Sequence, residues 1–514
     1  MKRILILLFI CALLAGCGTD TEPVVTEVTR HPAQESTFDS RFGAETVIHL
    51  SDEGMDVTGP GSLSVFRSKD IVYYEDRDTY ESGRPYGEGE PWERHSKEEA
   101  EAHTVVNITA PGTYRVTGKL SAGQIRIDLG EDACDDPNAV VELILDGLDI
   151  TCTVAPAIVF QNVYECDGDW DKDTARPDVD TSAAGANLIL EGENYVNGSH
   201  VAKIFKDKKN EKKLWKQDAA IYSYMSMNVY GPGSLELTAD NEGLGTELHL
   251  TVFGGDITIR SGNDGINTNV DGVSVTAIHG GNLKILAGLG AEGDGIDSNG
   301  YLVISGGTVI SAAHPASDAG LDSDKGSYIH GGTVIALGAA MDWAETDSRQ
   351  VTMNLQFANY RSGTDAITVK DEAGEEIFSF DPAEALGADA RRYQGVILSC
   401  EGLEQGKVVH LYVDGEQMAY TGTDVKMHGP GGMGGQHPEG DRGPRGDRPE
   451  GEMPTMPEGQ EPPQGDQQPP QGGQQPPDMP GGRPGEGAPP SGEGSTVFFL
   501  QDMVNFFSGV TEAE

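Results

Sequence analysis

FGGDITI at residues 253–259 returns as HGGNLKI at 279–285, SGGTVIS at 305–311 and HGGTVIA at 330–336. The second glycines of these copies are Gly255, Gly281, Gly307 and Gly332, so the steps are 26, 26 and 25 residues. A repeat of this length and regularity is typical of stacked supersecondary units, and its alternating apolar residues favour strands. We therefore predict an all-β solenoid built from these units.

A second motif follows three of the glycine pairs. It reads DGINTN at 264–269, DGIDSN at 294–299 and DAGLDSD at 318–324, and a degenerate copy, EGLG, precedes them at 242–245. The apolar member of each copy fits an inward position, whereas the acidic and amide members fit the turn and the outer face beside it. Stacking would then place like residues on like residues.

The stack would align acidic and amide residues in three rows. They are Glu242, Asp264, Asp294 and Asp318; Asn267, Asp297 and Asp322; and Asn269, Asn299 and Asp324. Neighbouring strands lie about 4.8 Å apart, so two stacked carboxylates repel by roughly 3–4 kcal/mol at an effective dielectric near 20. Calcium relieves such repulsion because it accepts six to eight oxygen ligands. The alternative is that these are turn residues, with water and salt screening the charges.

The net charge of the chain argues against one class of function and allows others. The chain has 514 residues and a formal net charge of −47, which argues against nucleic-acid binding because the phosphate backbone is itself anionic. The charge allows binding of divalent cations, or of anionic polymers through them. The one strongly basic patch, residues 201–217, ends near Lys216. It either meets an acidic polysaccharide or forms a solvated loop.

The first 17 residues read as an export signal. Lys2 and Arg3 precede an apolar run at 4–14, and LAGC at 14–17 has the form of a bacterial lipobox. Cys17 would be lipidated and become the mature N-terminus, which places the protein outside the cytoplasm on a lipid anchor. An ordinary secretory signal is the alternative. No later stretch is long and apolar enough to span a bilayer.

Four cysteines remain after the signal: Cys134, Cys152, Cys166 and Cys400. They allow three pairings in an oxidising compartment, and loop length favours Cys152 with Cys166. A zinc site is not indicated, because no Cys-x-x-Cys pair is present.

The chain divides into five segments. A polar tether at 18–43 follows the signal, and residues 44–427 form the strand-rich domain. Residues 428–494 are rich in Gly, Pro, Gln and Glu, cannot bury a core and are predicted to be disordered. Residues 495–514 are apolar and are predicted to return to the domain as a last strand, with a membrane-binding or partner-binding tail as the alternative. Trp343, Phe357 and Tyr360 form an aromatic group at 341–390 that either caps the solenoid, which we favour, or holds a glycan.

Several segments resemble a known family. They are IVYYED at 71–76, LDGLDITCTVAPAI at 145–158, AAIYS at 219–223, GDGIDSNG at 293–300 and DMVNFFSGV at 502–510. The chain resembles the calcium-containing, right-handed parallel β-helix carbohydrate-binding family of clostridial surface proteins, which bind polygalacturonate and cellulose and look like polysaccharide lyase family 9. The resemblance implies a right-handed parallel β-helix, calcium in the acidic rows and a polysaccharide partner.

Three functions remain open at this point. We favour calcium-dependent binding of an acidic or cellulosic polysaccharide, because bound calcium inverts the local charge. The alternative is a polysaccharide lyase, which needs a base beside the calcium, and Lys284 and Lys325 are the lysines within the repeat units. Asp324 beside Lys325 would raise the pKa of that lysine, the wrong direction for a base. A purely structural surface adhesin is the third possibility.

Overall fold

The computed structural model describes residues 38–75, 86–88, 92–205, 215–423 and 494–513. This part of the chain is almost entirely β, with short α-helices at α1 (Lys97–Ala102) and α2 (Pro382–Leu386). The predicted signal at 1–17 with Cys17, most of the tether, and nearly all of the Gly/Pro-rich segment lie outside the described residues. Within the described ranges, no helix combines the length and apolar character needed to cross a bilayer.

The strands follow one another in three regions of the chain. The first region contains β1 (Glu45–Leu50), β2 (Met55–Thr58), β3 (Val65–Ser68), β4 (Tyr86–Glu88), β5 (Thr104–Ile108), β6 (Gly112–Leu120), β7 (Gly123–Asp128), β8 (Val141–Thr151), β9 (Ile158–Asn162), β10 (Ala186–Glu191), β11 (Glu193–Gly198), β12 (Val201–Phe205) and β13 (Trp215–Gln217). The repeat region contains β14 (Ala219–Ser223), β15 (Met227–Tyr230), β16 (Ser234–Ala239), β17 (Glu242–Thr246), β18 (Leu250–Val252), β19 (Asp256–Ser261), β20 (Ile266–Thr268), β21 (Val275–Ile278), β22 (Asn282–Leu286), β23 (Ile296–Ser298), β24 (Tyr301–Ile304), β25 (Thr308–Ala312), β26 (Leu321–Ser323), β27 (Ser327–Ile329) and β28 (Thr333–Gly338). The last region contains β29 (Thr352–Arg361), β30 (Ile367–Asp371), β31 (Glu376–Phe380), β32 (Tyr393–Ser399), β33 (Val408–Val413), β34 (Glu416–Ala419), β35 (Phe498–Phe499) and β36 (Val504–Glu512).

The strands after the four glycine pairs stack in register. β19, β22, β25 and β28 pair in parallel and place Leu283 opposite both Ile257 and Val309, with Val334 next. These residues are fully buried or nearly so. Residues that pair in neighbouring strands are therefore separated by the same 26, 26 and 25 residues as the glycine pairs.

The glycine pairs are required by close approach of neighbouring units. Gly307 and Gly332 have φ values of 76° and 89°, in the left-handed region that favours glycine. A Cβ on Gly307 would lie 2.4 Å from the carbonyl oxygen of Gly281, and one on Gly332 would lie 2.7 Å from that of Gly307. No side chain fits at this turn, which explains why glycine returns in every copy.

The second motif forms its own sheet. Nine strands follow one another in the order β26, β23, β20, β17, β14, β9, β7, β5 and β3. All neighbours pair in parallel except β3 and β5. Each repeat unit gives one strand to this sheet and two to the large 24-stranded sheet. Leu244, Ile266 and Ile285 belong to the continuous core that both sheets line.

An antiparallel region ends the parallel stack. β28 pairs antiparallel with β32, and β36 returns to pair in parallel with β29. Phe498, Phe507 and Tyr420 form a ring cluster in a second core. Trp343 and Phe357, from the predicted aromatic cap, are buried. The all-β class and the parallel stacking are confirmed, whereas the closed, right-handed winding stays a prediction.

Residues 164–184, which we call the strap, pack against the edges of the repeat units. The Glu165 carboxylate accepts hydrogen bonds from the Ser226 backbone N–H at 2.6 Å and from its hydroxyl at 2.8 Å. Further along, the Thr181 hydroxyl donates to Asn228 Oδ1 at 2.7 Å, and the Tyr301 hydroxyl donates to the Ala175 carbonyl at 3.2 Å. The strap is thus an ordered part of the fold.

Candidate functional site

One row of acidic and amide side chains lies on the outer face of the nine-stranded sheet. Ile266, Ile296 and Leu321 pair with one another and are fully buried in the core. Side chains alternate between the two faces of a strand, so the residues that follow them point to the other face. The register aligns these residues as the sequence predicts: Asn267, Asp297 and Asp322.

A second row lies beside the first but is one member shorter than predicted. The backbone N–H groups of Gly243, Gly265 and Gly295 donate to the carbonyls of Asp264, Asp294 and Ala319, respectively. This pattern aligns Glu242, Asp264 and Asp294, with Ala319 in the fourth place. The prediction for Asp318 in this row is wrong, because the third copy has one extra residue before its apolar member. The Asp318 carboxylate instead accepts a hydrogen bond from the Gly293 N–H at 3.1 Å.

The third row follows the strands and is held by its amides. Asn269 Nδ2 donates to the Thr246 carbonyl at 3.2 Å, and Asn299 Nδ2 donates to the Thr268 carbonyl at 3.0 Å. Asp324 comes next and is exposed. Each amide therefore uses its N–H on the previous strand and keeps its oxygen available.

We call Glu242, Asp264, Asn267, Asp294, Asp297 and Asp322 together the acidic face. Its internal hydrogen bonds are few. Asn267 Nδ2 donates to Glu242 Oε1 at 3.0 Å and to Asp264 Oδ2 at 3.3 Å. Glu242 is 4% exposed, and its Oε2 is buried without a hydrogen-bond partner. An unpaired buried carboxylate oxygen is costly, because it has lost water and gained no donor.

Burial and mutual repulsion shift the ionisation of the acidic face. Burial is the largest cause, and it raises the pKa of Glu242 to about 8 and that of Asp264 to about 7. The pKa values of Asp294, Asp297 and Asp322 are raised as well, first by burial and then by neighbouring carboxylates. The face therefore resists carrying its full negative charge without a cation.

A lysine side chain from outside the repeat motif supplies a positive charge to the acidic face. Lys216, on β13, pairs through Nζ with Asp218 Oδ2 at 2.7 Å, and its charge lowers the pKa values of Glu242 and Asp264. Burial alone would lower the pKa of Lys216, but Asp218, Glu242 and Glu247 hold it above its ordinary value. Asp218 Oδ1 is another buried oxygen without a hydrogen-bond partner.

Sequence reasoning placed Lys216 in a basic patch instead of at the acidic face, and it missed Asp218. Asp218-Ala-Ala-Ile221 has the same form as Asp318-Ala-Gly-Leu321, and Ile221 pairs with Leu244 in register. This copy of the motif, one unit upstream, would have revealed Asp218. Asp342 was missed too. It lies beyond the last copy, accepts a hydrogen bond from the Ser323 hydroxyl at 2.9 Å, and has its pKa raised to about 7 by burial and by Asp322.

The acidic face fits a hard cation. Its donors are carboxylate and amide oxygens, which calcium prefers, and it has a buried oxygen that lacks a donor. Among the described residues, no three His, Cys, Asp or Glu side chains are already gathered closely enough to hold a metal ion. Binding would therefore require side-chain rotation. The residues that would hold calcium are those of the acidic face, with Asn269, Asn299, Asp318 and Asp324 at its border.

The two lysines considered for lyase chemistry lie elsewhere. Lys284 is on β22 of the large sheet, where it pairs in register with Thr258 and Ile310. Lys325 turns toward the strap, with Nζ 3.5 Å from the Lys172 carbonyl oxygen. The residue that the fold brings to the acidic face is Lys216.

The predicted disulfide between Cys152 and Cys166 is wrong, because both are free thiols. Cys152 follows β8 and is buried in the core, whereas Cys166 lies on the strap. Burial raises the pKa of each thiol to about 12, so neither is a reactive thiolate.

The chain is similar to a known protein and to a solved structure. A protein of Acetivibrio thermocellus called "Carbohydrate-binding domain-containing protein" is 30% identical over 157 residues, which is 30% of this chain and 45% of that protein. The chain thus matches less than half of that relative's length. A solved structure, the polysaccharide lyase-like protein from C. thermocellum as a gadolinium derivative, is 21% identical, covers 56% of this chain and 92% of that chain, and has a TM-score of 0.33.

The family described as "Carbohydrate-binding domain-containing protein" matches residues 102–424, which contain β5 through β34 and the whole acidic face. This match covers more than half of the chain. The chain belongs to the carbohydrate-binding domain-containing protein family.

Proposed function

We propose that this protein binds polysaccharide through calcium held on the acidic face, within a right-handed parallel β-helix. Family membership supports the carbohydrate part of the proposal. The observation that carries the calcium part is the buried Glu242 Oε2, which lacks a donor inside a row of stacked carboxylates. When bound, calcium would neutralise the face and offer free coordination positions to a sugar carboxylate or hydroxyl.

The members of the acidic face differ in how far they are exposed to solvent. Glu242 and Asp264 are buried, at 4% and 7% exposed, whereas Asp294, Asp297 and Asp322 are half-buried. The buried pair is suited to holding an ion for the fold. The half-buried members leave room for a ligand beside the ion, so the polymer would approach at the end near Asp297 and Asp322. An acidic, pectin-like polymer fits this end, and a cellulosic polymer is the second ligand to test.

Binding is a better proposal than lyase action. A lyase base must be neutral when it takes the proton, and Lys216, the lysine at the acidic face, has a raised pKa because it pairs with Asp218. Lys284 is on the large sheet, and the side chain of Lys325 contacts the strap. A structural adhesin would use the acidic rows for folding alone.

Retention on immobilised polygalacturonate, with calcium and with chelator, tests the proposal. We expect retention in calcium, release in chelator, and no ultraviolet-absorbing unsaturated product. Asp294→Asn/Asp297→Asn/Asp322→Asn should abolish retention. Asp56→Asn/Asp132→Asn/Asp347→Asn is the matched control, because it removes three exposed carboxylates elsewhere. Equal retention with and without calcium would contradict the proposal. Formation of unsaturated product would identify a lyase instead. No retention on polygalacturonate or on a cellulosic polymer would favour the adhesin.

The export signal supports a location outside the cytoplasm, with Cys17 carrying the lipid. A Cys17→Ser variant should then leave the membrane fraction and appear in the soluble fraction. An unchanged distribution would contradict anchoring through this residue.

A further inference from the structure

A pocket of about 440 Å³ opens at the N-terminal end of the parallel stack. Four chain segments meet there and contribute Asp52 from the turn between β1 and β2, Arg67 and Lys69 from β3 and the position after it, Thr104 from the start of β5, and Ser121 from the turn between β6 and β7. β3 is one end strand of the nine-stranded sheet, whereas β26, which carries part of the acidic face, is the other. The pocket has the size of those that hold small organic ligands.

Two cations lie side by side in this pocket without a carboxylate partner. Arg67 Nη2 and Lys69 Nζ both donate to the hydroxyl oxygen of Thr104, at 3.2 Å and 3.3 Å, and Lys69 Nζ also donates to the His103 carbonyl at 2.8 Å. Within the described ranges neither cation forms an ion pair, although the chain carries a net charge of −47. A guanidinium presents several N–H donors in a planar fork, so most of those of Arg67 remain available. Two adjacent, unpaired positive charges favour an anionic ligand.

The rest of the lining decides which kind of anion fits. The Asp52 carboxylate accepts a hydrogen bond from the Ser121 backbone N–H at 2.6 Å, which lowers its pKa and keeps it ionised at neutral pH. An ionised carboxylate only accepts hydrogen bonds, so it suits the hydroxyl groups of a ligand and repels a simple anion such as sulfate. Leu120 and Ala122 add an apolar wall. A sugar acid matches all three parts, because it has a carboxylate, hydroxyl donors and an apolar C–H face.

We propose that this pocket binds one sugar acid without calcium, with the ligand carboxylate on Arg67 and Lys69 and ring hydroxyls on Asp52. The pocket is formed before the ligand arrives, because its walls are joined by backbone hydrogen bonds. The Thr104 N–H donates to the Ala122 carbonyl at 3.0 Å, and β3 pairs with β5. A free sugar acid and the end unit of an acidic polysaccharide present the same groups to these residues.

This site goes beyond the proposed function, because it uses other residues and needs no metal ion. A single sugar unit makes few contacts, so its affinity is low. The pocket alone would therefore not retain the chain on immobilised polygalacturonate, and release in chelator is still expected. Chelator also removes calcium from the acidic face, so binding of a small sugar acid in chelator reports on the pocket.

Calorimetric titration of the full chain with galacturonate in chelator tests the pocket. We expect saturable binding, and binding of galactose, which has the same ring without the carboxylate, at least about 10-fold weaker. Arg67→Gln/Lys69→Gln should weaken galacturonate binding by at least about 10-fold, while each glutamine keeps an N–H donor for Thr104 and the His103 carbonyl. Arg349→Gln/Lys407→Gln removes two exposed cations elsewhere and should match the wild type. Equal binding of both sugars, equally tight binding of sulfate, or unchanged binding in the Arg67/Lys69 variant would overturn the proposal.

A second variant tests the pocket without changing its charge. Ala122→Phe should fill the space beside Leu120 and abolish galacturonate binding, with a thermal melt to show that the chain is folded. Normal binding in this variant would mean that the cations act outside the pocket, and would contradict the proposal. Calcium-dependent retention on polygalacturonate without galacturonate binding in chelator would refute this site and leave the proposed function. The reverse result would refute the proposed function and leave this site.

Discussion

Two groups of stacked carboxylates on different sheets are neutralised in different ways. On the large sheet, Arg115 contacts Glu45 at 2.8 Å, Asp146 at 3.0 Å and also Glu191. Its hydrogen bond to Glu45 holds the pKa of that carboxyl below its ordinary value. On the acidic face, by contrast, the carboxylates have raised pKa values, and Lys216 alone supplies a compensating charge in those shifts.

The difference shows what each group is built for. A carboxylate row with its own arginine is complete as folded and needs no partner. Carboxylates that are buried or half-buried and lack direct contact with a cation are unfavourable as they stand, so they either protonate or take up an ion. We therefore propose that the Arg115 group has a structural role and that the acidic face binds an ion.

The largest expected effect comes from removing charge on the acidic face. Asp294→Asn/Asp297→Asn/Asp322→Asn should melt at a higher temperature than the wild type in chelator, because the repulsion is gone. Calcium at 100 times its Kd should stabilise the wild type by about 2.7 kcal/mol and so raise its melting temperature. It should raise the melting temperature of the variant by less, because only the buried pair Glu242 and Asp264 remains on the acidic face. Thermal melts with calcium and with chelator measure both shifts. An equal calcium response in the wild type and the variant would place the ion elsewhere.

Stability in chelator should fall as pH rises. Glu242 and Asp264 have folded pKa values of about 8 and 7, above those of the unfolded chain, so the folded state binds more protons over this interval. Stability is then greatest below the unfolded pKa, near 4, and is lost as pH rises toward about 8. Calcium should reverse the trend, because the carboxylates must be deprotonated to bind it. Melts across this range check the sign, and stability that rises with pH in chelator would contradict it.

Lys216→Met should make the protein more dependent on calcium. Removing a buried ammonium leaves Asp218 and the acidic face with one less positive charge, and we expect a loss of about 3 kcal/mol in chelator. Calcium should recover a large part of this loss. Lys216→Arg keeps the charge and is the control. An equal loss with and without calcium would mean that Lys216 acts through packing.

Arg115→Gln should have a smaller effect that calcium does not change. The three carboxylates around Arg115 are about 40% exposed, so solvent screens them, and we expect a loss of about 1–2 kcal/mol. The pKa of Glu45 should rise toward its ordinary value, which removes stability above the unfolded pKa of that group. Chemical denaturation with calcium and with chelator measures the difference. Full rescue by calcium would erase the distinction between the two regions.

The sequence predicted those features that depend on local spacing. The steps between Gly255, Gly281 and Gly307 equal the separation of paired residues in neighbouring strands, because each unit contains the same turn. The same spacing correctly predicted that Asn267 and Asp297 align in one row. It was wrong for Asp318, because one inserted residue shifts the backbone there by one position. A spacing rule cannot tell on which strand such an insertion is absorbed.

Contacts between segments that are far apart in the chain could not be predicted from the spacing of motifs. Lys216 was assigned to a basic surface patch, yet β13 leads directly into β14 and brings it to the acidic face. The position of Cys166 depends on where the strap packs, and Cys152 and Cys166 were paired on loop length without that knowledge. Such contacts need the tertiary arrangement.

The number of calcium ions bound per chain tests the central claim most directly. Native mass spectrometry of the full chain, after equilibration with calcium, should show fewer ions on Asp294→Asn/Asp297→Asn/Asp322→Asn than on the wild type. The Asp56→Asn/Asp132→Asn/Asp347→Asn control should match the wild type. A full complement of calcium on the acidic-face variant would contradict the assignment of this face as an ion site.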